Sequence, residues 1–244
     1  MVKKHIGVVL LGLMISCTSV VFALTGDEVL QKVDEALVHD NQVARLSMIL
    51  TDKSGITQNR EIELFQKEGG KRLIRFLKPA DIKGVTFLSL PGDEMYIYMP
   101  ALGKVRRIAS HTKNQSFMGS DFSYEDMGGE KFSKESNVKV FKEEGNNYLL
   151  EVPSTKKDAS YSILKMVVNK ETFIASKIEF YDKAGRLYKV MTNSSVENVE
   201  GKWVAKEIKM ENKQNQHTTQ LKMIKISFDQ NLSDDIFTQR NMQK

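Results

Sequence analysis

Apolar and polar side chains alternate with a period of two along most of this chain, the signature of strands with one buried and one wet face. The rhythm begins at Val43, where Leu46, Met48 and Leu50 alternate with Arg45 and Ser47, and Asp52-Lys53-Ser54-Gly55 supplies a turn. It continues through Ile56–Lys67 and Lys71–Leu77, joined at Glu68-Gly69-Gly70, and Pro79 ends the second run. It returns in Val138–Lys142, Tyr148–Pro153, Tyr161–Asn169, Phe173–Tyr181, Arg186–Val199, Lys202–Asn212 and Gln216–Phe228. The turns between these runs, such as Asp182-Lys183-Ala184-Gly185 and Glu200-Gly201, are of hairpin length. The pattern predicts about a dozen strands and no helix long enough for a parallel crossover. A single curled antiparallel sheet is the expected architecture, mainly β.

Helical spacing opens the domain. Val29, Leu30, Val33 and Leu37 recur on one face of Glu28–Val38, Asp27 is placed to cap the free N–H groups, and Glu28 suits the positive end of the helix. Ser233–Asn241 reads as a terminal turn or short helix.

The centre of the chain, Gly84 to Met127, is the richest in large apolar side chains. Three strand-like runs, Val85–Leu90, Glu94–Met99 and Lys104–Ile108, are separated by Pro91-Gly92-Asp93 and Pro100-Ala101-Leu102-Gly103, which provide the fixed and permissive backbone angles of tight turns. This predicts a meander. Phe87 shares a face with Val85, while Tyr96 and Tyr98 share the face opposite Met95 and Met99. The loop from Ala109 to Ser136 then carries Phe117, Met118, Phe122, Tyr124 and Met127, and is too long for a passive connection in such a sheet. Thioethers adapt to irregular apolar partners. Some of these residues fill the core of any sheet, but no long amphipathic helix is available to cover both faces of the meander. The expectation is therefore a binding surface for an apolar ligand, with Phe87, Met95, Tyr96, Tyr98, Met99, Phe117, Met118, Phe122, Tyr124 and Met127 as its candidates.

The first residues suggest where that ligand is met. Lys3 and Lys4 precede an uncharged run from Ile6 to Ala23, and Val21-Phe22-Ala23 suits signal peptidase, so residues 1–23 read as a secretory signal peptide and 24–244 as one domain. Interruption by Gly12, Ser16, Cys17, Thr18 and Ser19 argues against a retained anchor. Met14-Ile15-Ser16-Cys17 matches a lipobox poorly, because Met14 stands where leucine is usual; acylation at Cys17 is the less favoured alternative. Cleavage after Ala23 leaves no cysteine, which removes disulfides and thiolate chemistry. It also takes Lys3 and Lys4 from a formal charge of only +5, so the basicity argues little for a nucleic-acid partner.

Catalytic constellations are missing from the sequence. His39, His111 and His217 are scattered, with no spacing that puts two ring nitrogens on one metal. No Ser sits in a GxSxG elbow and no GxxxxGK[ST] phosphate loop occurs. Asp121 and Glu125 would share one helix face, yet a cap at Ser120 or Asp121 explains the acidic group more cheaply. No cofactor, metal or catalytic residue is expected. Arg106 and Arg107, adjacent in a strand, should face opposite ways, one of them inward. The inward guanidinium would pair with Asp121, Glu125 or Asp126, or would contact a lipid headgroup or cargo carbonyls.

The segment FLSLPGDEMYIYMPALGKVRRI followed by FMGSDFSYEDM resembles the outer-membrane lipoprotein-sorting protein family, a LolA-like group of periplasmic carriers. The match is strongest over Leu77 to Met127. The resemblance implies a strongly curved, half-open β-barrel whose apolar concave face accepts acyl chains and is partly closed by short helices acting as lid or plug, here Glu28–Val38 and Ser120–Met127. It implies a periplasmic protein that is not an enzyme, a lipid or acylated lipoprotein as cargo, and often an RND-type exporter of the inner membrane as associate. In the best-known carriers one arginine near the lid helps hold the closed state, and neither Arg106 nor Arg107 aligns with it securely. An accessory subunit that docks on the exporter without carrying lipid is the alternative.

Overall fold

A computed structural model describes residues 24–37, 39, 41–129, 131–134, 138–154 and 161–244. The signal-peptide and Cys17 readings fall outside these residues. Helix α1 (Gly26–Leu37) comes first. Thirteen strands follow among the described residues: β1 (Gln42–Thr51), β2 (Thr57–Lys67), β3 (Lys71–Lys78), β4 (Thr86–Leu90), β5 (Glu94–Met99), β6 (Lys104–Arg107), β7 (Lys139–Glu144), β8 (Asn147–Pro153), β9 (Ile163–Asn169), β10 (Ala175–Tyr181), β11 (Leu187–Val199), β12 (Lys202–Asn212) and β13 (His217–Ser227). They form one sheet in the order β6-β5-β4-β3-β2-β1-β13-β12-β11-β10-β9-β8-β7. Every neighbouring pair is antiparallel, and the chain closes on itself only through β1 and β13. β6 and β7 are the two edges and do not pair, so the sheet stays an open barrel. The expected sheet and hairpin connections are present. The strand expected from Phe173 begins at Ala175 instead, because Asn169 Oδ1 accepts from Glu171 N and Thr172 N and holds Phe173 in a turn with φ 54°.

The start of α1 is built differently from the expected Asp27 cap. Thr25 Oγ1 accepts from Glu28 N at 3.2 Å and Glu28 returns the contact to Thr25 N at 2.7 Å, a reciprocal capping box. Asp27 instead accepts from Val138 N. α1 buries Val29, Leu30 and Val33 against the concave face of the sheet.

Segment 109–129, between β6 and β7, also enters the concave side. It folds back through a bridge between Ser116 and Ser123 and ends in helix α2 (Tyr124–Gly128). Ser123, and neither Ser120 nor Asp121, caps α2; its hydroxyl accepts from Asp126 N at 3.0 Å and the Asp126 carboxylate accepts from Ser123 N at 2.7 Å. Asp121 precedes the helix, so it shares no helix face with Glu125.

A second, smaller core lies on the outer face of β3, β4 and β5. Leu73, Leu88, Tyr96, Tyr98 and Val105 meet Leu232, Phe237 and Met242 of the C-terminal tail, which runs through short 3-10 turns at Asp234–Phe237 and Asn241–Gln243. Lys67 and Lys71 hold Asp234 at 2.9 and 2.8 Å, and Arg75 Nη2 donates to Asn241 O at 3.0 Å. This tail, not a helix, covers the second face of the meander.

Candidate functional site: a divided concave face

The concave face has one filled half and one hollow half. Under β2 to β6 it is filled by segment 109–129. Phe117 is fully buried and packs against Phe76, Phe87 and Tyr124 with ring centroids 5.4 to 5.8 Å apart. Met95 lies under α2, where a Cβ on Gly128 would come within 2.6 Å of its Cε. Under β8 to β13 the face lines a cavity of about 330 Å³, in the size range of small-molecule sites.

The strand registers generate the floor of that cavity. Met191 and Met210 line it side by side on β11 and β12, in a row that continues into the buried Met166 and Ile178 of β9 and β10 and Thr219 of β13. One rung along, Leu164 and Phe180 line the cavity, and their row continues outside it through Lys189, Asn212 and His217. Phe122, Met127, Ile62, Leu64, Ile74 and Arg72 make the partition towards the filled half, and Ala36 and Leu37 of α1 contribute to the wall. Trp203, 40% exposed, also lines the cavity, and its carbonyl contacts His39 Nε2 at 3.2 Å.

Three cations from the sheet hold backbone carbonyls of segment 109–129. Arg60 Nη1 donates to Met118 O at 2.5 Å, Arg72 Nη1 to Met127 O at 3.1 Å, and Lys189 Nζ to Asp121 O at 2.6 Å. Burial lowers the pKa of all three, that of Arg72 to about 10; Asp126 and Asp121 partly oppose the effect at Lys189. Arg72 also donates from Nε and Nη2 to Gln66 Oε1 at 3.1 and 2.6 Å, and Gln42 donates to the same oxygen at 3.2 Å. Gly129, in the left-handed region at φ 74°, leaves the space: a Cβ there would come within 2.5 Å of Arg72 Cζ. The buried Asp121 carboxylate receives His217 Nδ1 at 2.6 Å and Thr219 Oγ1 at 2.7 Å, and Asp121 N donates to that hydroxyl oxygen at 2.9 Å. Beside Lys189, burial pushes the Tyr161 hydroxyl well above its usual pKa.

Of the residues expected to bind, Phe122 and Met127 line the cavity. Phe87, Phe117 and Met95 are buried in the filled half, and Met99, Met118 and Tyr124 pack against it. Tyr96 and Tyr98 lie on the outer face under the tail. Arg106 and Arg107 are both exposed on the short edge strand β6, and Arg107 reaches Glu94 at 3.7 Å. The expected inward guanidinium is therefore absent at this pair; Arg60 of β2 and Arg72 of β3 instead reach inward, to backbone carbonyls of segment 109–129. Sequence reasoning missed most of the cavity wall, namely Arg72, Tyr161, Met191, Asn193, Trp203 and Ile208 among others. The period-two pattern contains them, but does not tell which inward rows the loop covers. Among the described residues no group of three or more His, Cys, Asp or Glu could hold a metal, and no helix is long and apolar enough to cross a membrane.

A family model described as "Uncharacterized protein" matches residues 68–244. A domain named for outer-membrane lipoprotein sorting, from Vibrio parahaemolyticus, superposes with a TM-score of 0.81 at 28% identity, over 90% of this chain and 98% of that one. A DUF1329 family protein from Desulfovibrio piger gives 0.83 at 28%, over 89% and 97%. The chain belongs to the family of that model, and it is similar over nine-tenths of its length to the lipoprotein-sorting domain and to the DUF1329 protein. A LolA superfamily protein from Nitrosomonas europaea shares the fold, with a TM-score of 0.76 at 20% identity over 90% of this chain and 100% of that one. No curated protein matches the chain.

Proposed function

We propose that this protein is a periplasmic carrier that shelters acyl chains of a lipid or acylated lipoprotein between the floor of β8 to β13 and the lid formed by α1 and α2. The observation that carries the reading is the hollow half of the concave face, floored by flexible methionines and walled mainly by apolar side chains. Each methylene moved from water into such a space contributes about 0.8 kcal/mol. Holding a chain is therefore easy and letting it go is the harder task.

Segment 109–129 supplies a means of release. Phe122 and Met127 stand at the partition, and cargo that displaces them competes with the protein's own side chains, so net affinity falls well below the gross burial. Arg72 holds the C-terminal end of α2 through Met127 O, and its bond is the latch in this reading. Phe87, Met95, Met99, Phe117, Met118 and Tyr124 act by filling the other half and keeping the partition in place.

Native mass spectrometry of protein purified from the periplasm without detergent, followed by organic extraction, tests the carrier. A co-purifying lipid or acylated protein is the expected result. A clean apo mass that persists after incubation with lipid vesicles would overturn it in favour of docking on an RND-type exporter. Trp203 is the only tryptophan of the chain, so a blue shift of its emission with an acyl ligand reports occupancy of this cavity.

A further inference from the structure

Arg72 is a permanent cation at the wall of an apolar cavity, and its bonded partners among the described residues are neutral. They are the amide oxygen of Gln66 and the carbonyl of Met127. Among the described residues no carboxylate lies within 4.0 Å of it. A buried charge is costly unless it is paired, and neutral acceptors compensate less than an anion does. The side chain is only half-buried by area, and because it lines the cavity its free surface faces that space. Three hydrogen bonds engage three of the five N–H groups of the guanidinium, which leaves donors for a ligand. The glycine at 129 keeps the cradle open, since any side chain there would strike the guanidinium.

We propose that Arg72 is the receptor for an anionic group, a phosphoryl or carboxylate head, on the acyl-bearing cargo of this cavity; the proposal rests on the carrier reading above. A planar fork of donors suits two oxygens of one oxyanion. The same anion competes with Met127 O, the carbonyl through which Arg72 holds α2. Arrival of the head and loosening of α2 are then one exchange of hydrogen bonds at one side chain.

The test is a pair of amphiphiles with the same twelve-carbon chain, dodecyl phosphate and neutral lauroyl glycerol, titrated against the purified protein with Trp203 emission as readout. The wild type is expected to prefer the phosphate by about tenfold or more. In Arg72→Gln the ratio should fall to within about twofold. Arg72→Lys, which keeps a charge but loses the fork, should give an intermediate ratio and serves if the glutamine variant does not fold. Arg106→Gln/Arg107→Gln should keep the wild-type ratio. Loss of the ratio there, with Arg72→Lys unchanged, would move the headgroup to the edge strand and overturn the proposal. Equal affinity of the wild type for both amphiphiles would overturn it while leaving the carrier reading intact; no response to either would overturn both. Inorganic phosphate should narrow the ratio without shifting Trp203 emission itself. If it binds alone as tightly as dodecyl phosphate, the site is one for a free anion and the lipid assignment fails.

Discussion

Asp121 and Arg72 both fix segment 109–129 to the sheet, one as an anion and the other as a cation. Asp121 is almost fully enclosed and its carboxylate receives a histidine and a threonine of β13, residues nearly a hundred positions away in sequence. Removing it leaves those donors unpaired and frees the middle of the loop. Asp121→Ala should lower unfolding stability by about 3 kcal/mol, the upper range for leaving buried hydrogen-bond donors unsatisfied, as measured by urea denaturation. Thr219→Val should cost less, about 1 to 2 kcal/mol, because His217 still holds the carboxylate. The acidic group around Asp121 stood out in the sequence. Its partners did not, because they lie on strands that only the closure of β1 on β13 brings near.

The loop behaves as two elements with different duties. Phe117 belongs to an aromatic cluster that does not line the cavity, whereas Phe122 stands on the cavity wall. Phe117→Ala should cost about 3 to 5 kcal/mol of stability, read as a lowered denaturation midpoint, while the folded fraction still shifts Trp203 emission with lauroyl glycerol. Phe122→Asp should act in reverse, keeping most of the fold and weakening acyl binding at least about tenfold, since it puts a carboxylate on an apolar wall. The C-terminal tail makes a separate prediction. Lys71 and Lys67 depress the Asp234 carboxyl to about 2. A depressed carboxyl stabilises the docked tail above its unfolded value near 4 and loses that contribution as pH falls towards 2. An NMR titration should place the Asp234 midpoint near 2, returning towards about 4 in Lys67→Ala/Lys71→Ala.

At the scale of the whole molecule, the sheet has a protected centre and two exposed margins. β1 and β13 join the two ends of the chain and carry strands on both sides, while β6 and β7 each have one neighbour. Hydrogen exchange should therefore be slowest in Met48–Leu50 and their partners, and fastest in Lys104–Arg107 and Lys139–Glu144. Equal protection at β6 and at β1 would mean that the barrel closes in solution. The open seam lets the concave face change width without breaking strand pairs.

The sequence by itself determined the sheet, its hairpin connections, the opening helix and the family, because these depend on local periodicity, turn chemistry and one motif. It also brought forward Phe122 and Met127 as binding candidates, and both stand on the cavity wall. Tertiary structure decided which half of the concave face is hollow, that Tyr96 and Tyr98 lie under the C-terminal tail, and that Arg60 and Arg72, rather than Arg106 or Arg107, point inward. The physical reason is the same in each case. An alternating strand says which side chains share a face, but burial of that face depends on segments that return from far along the chain, and no local pattern records where they land.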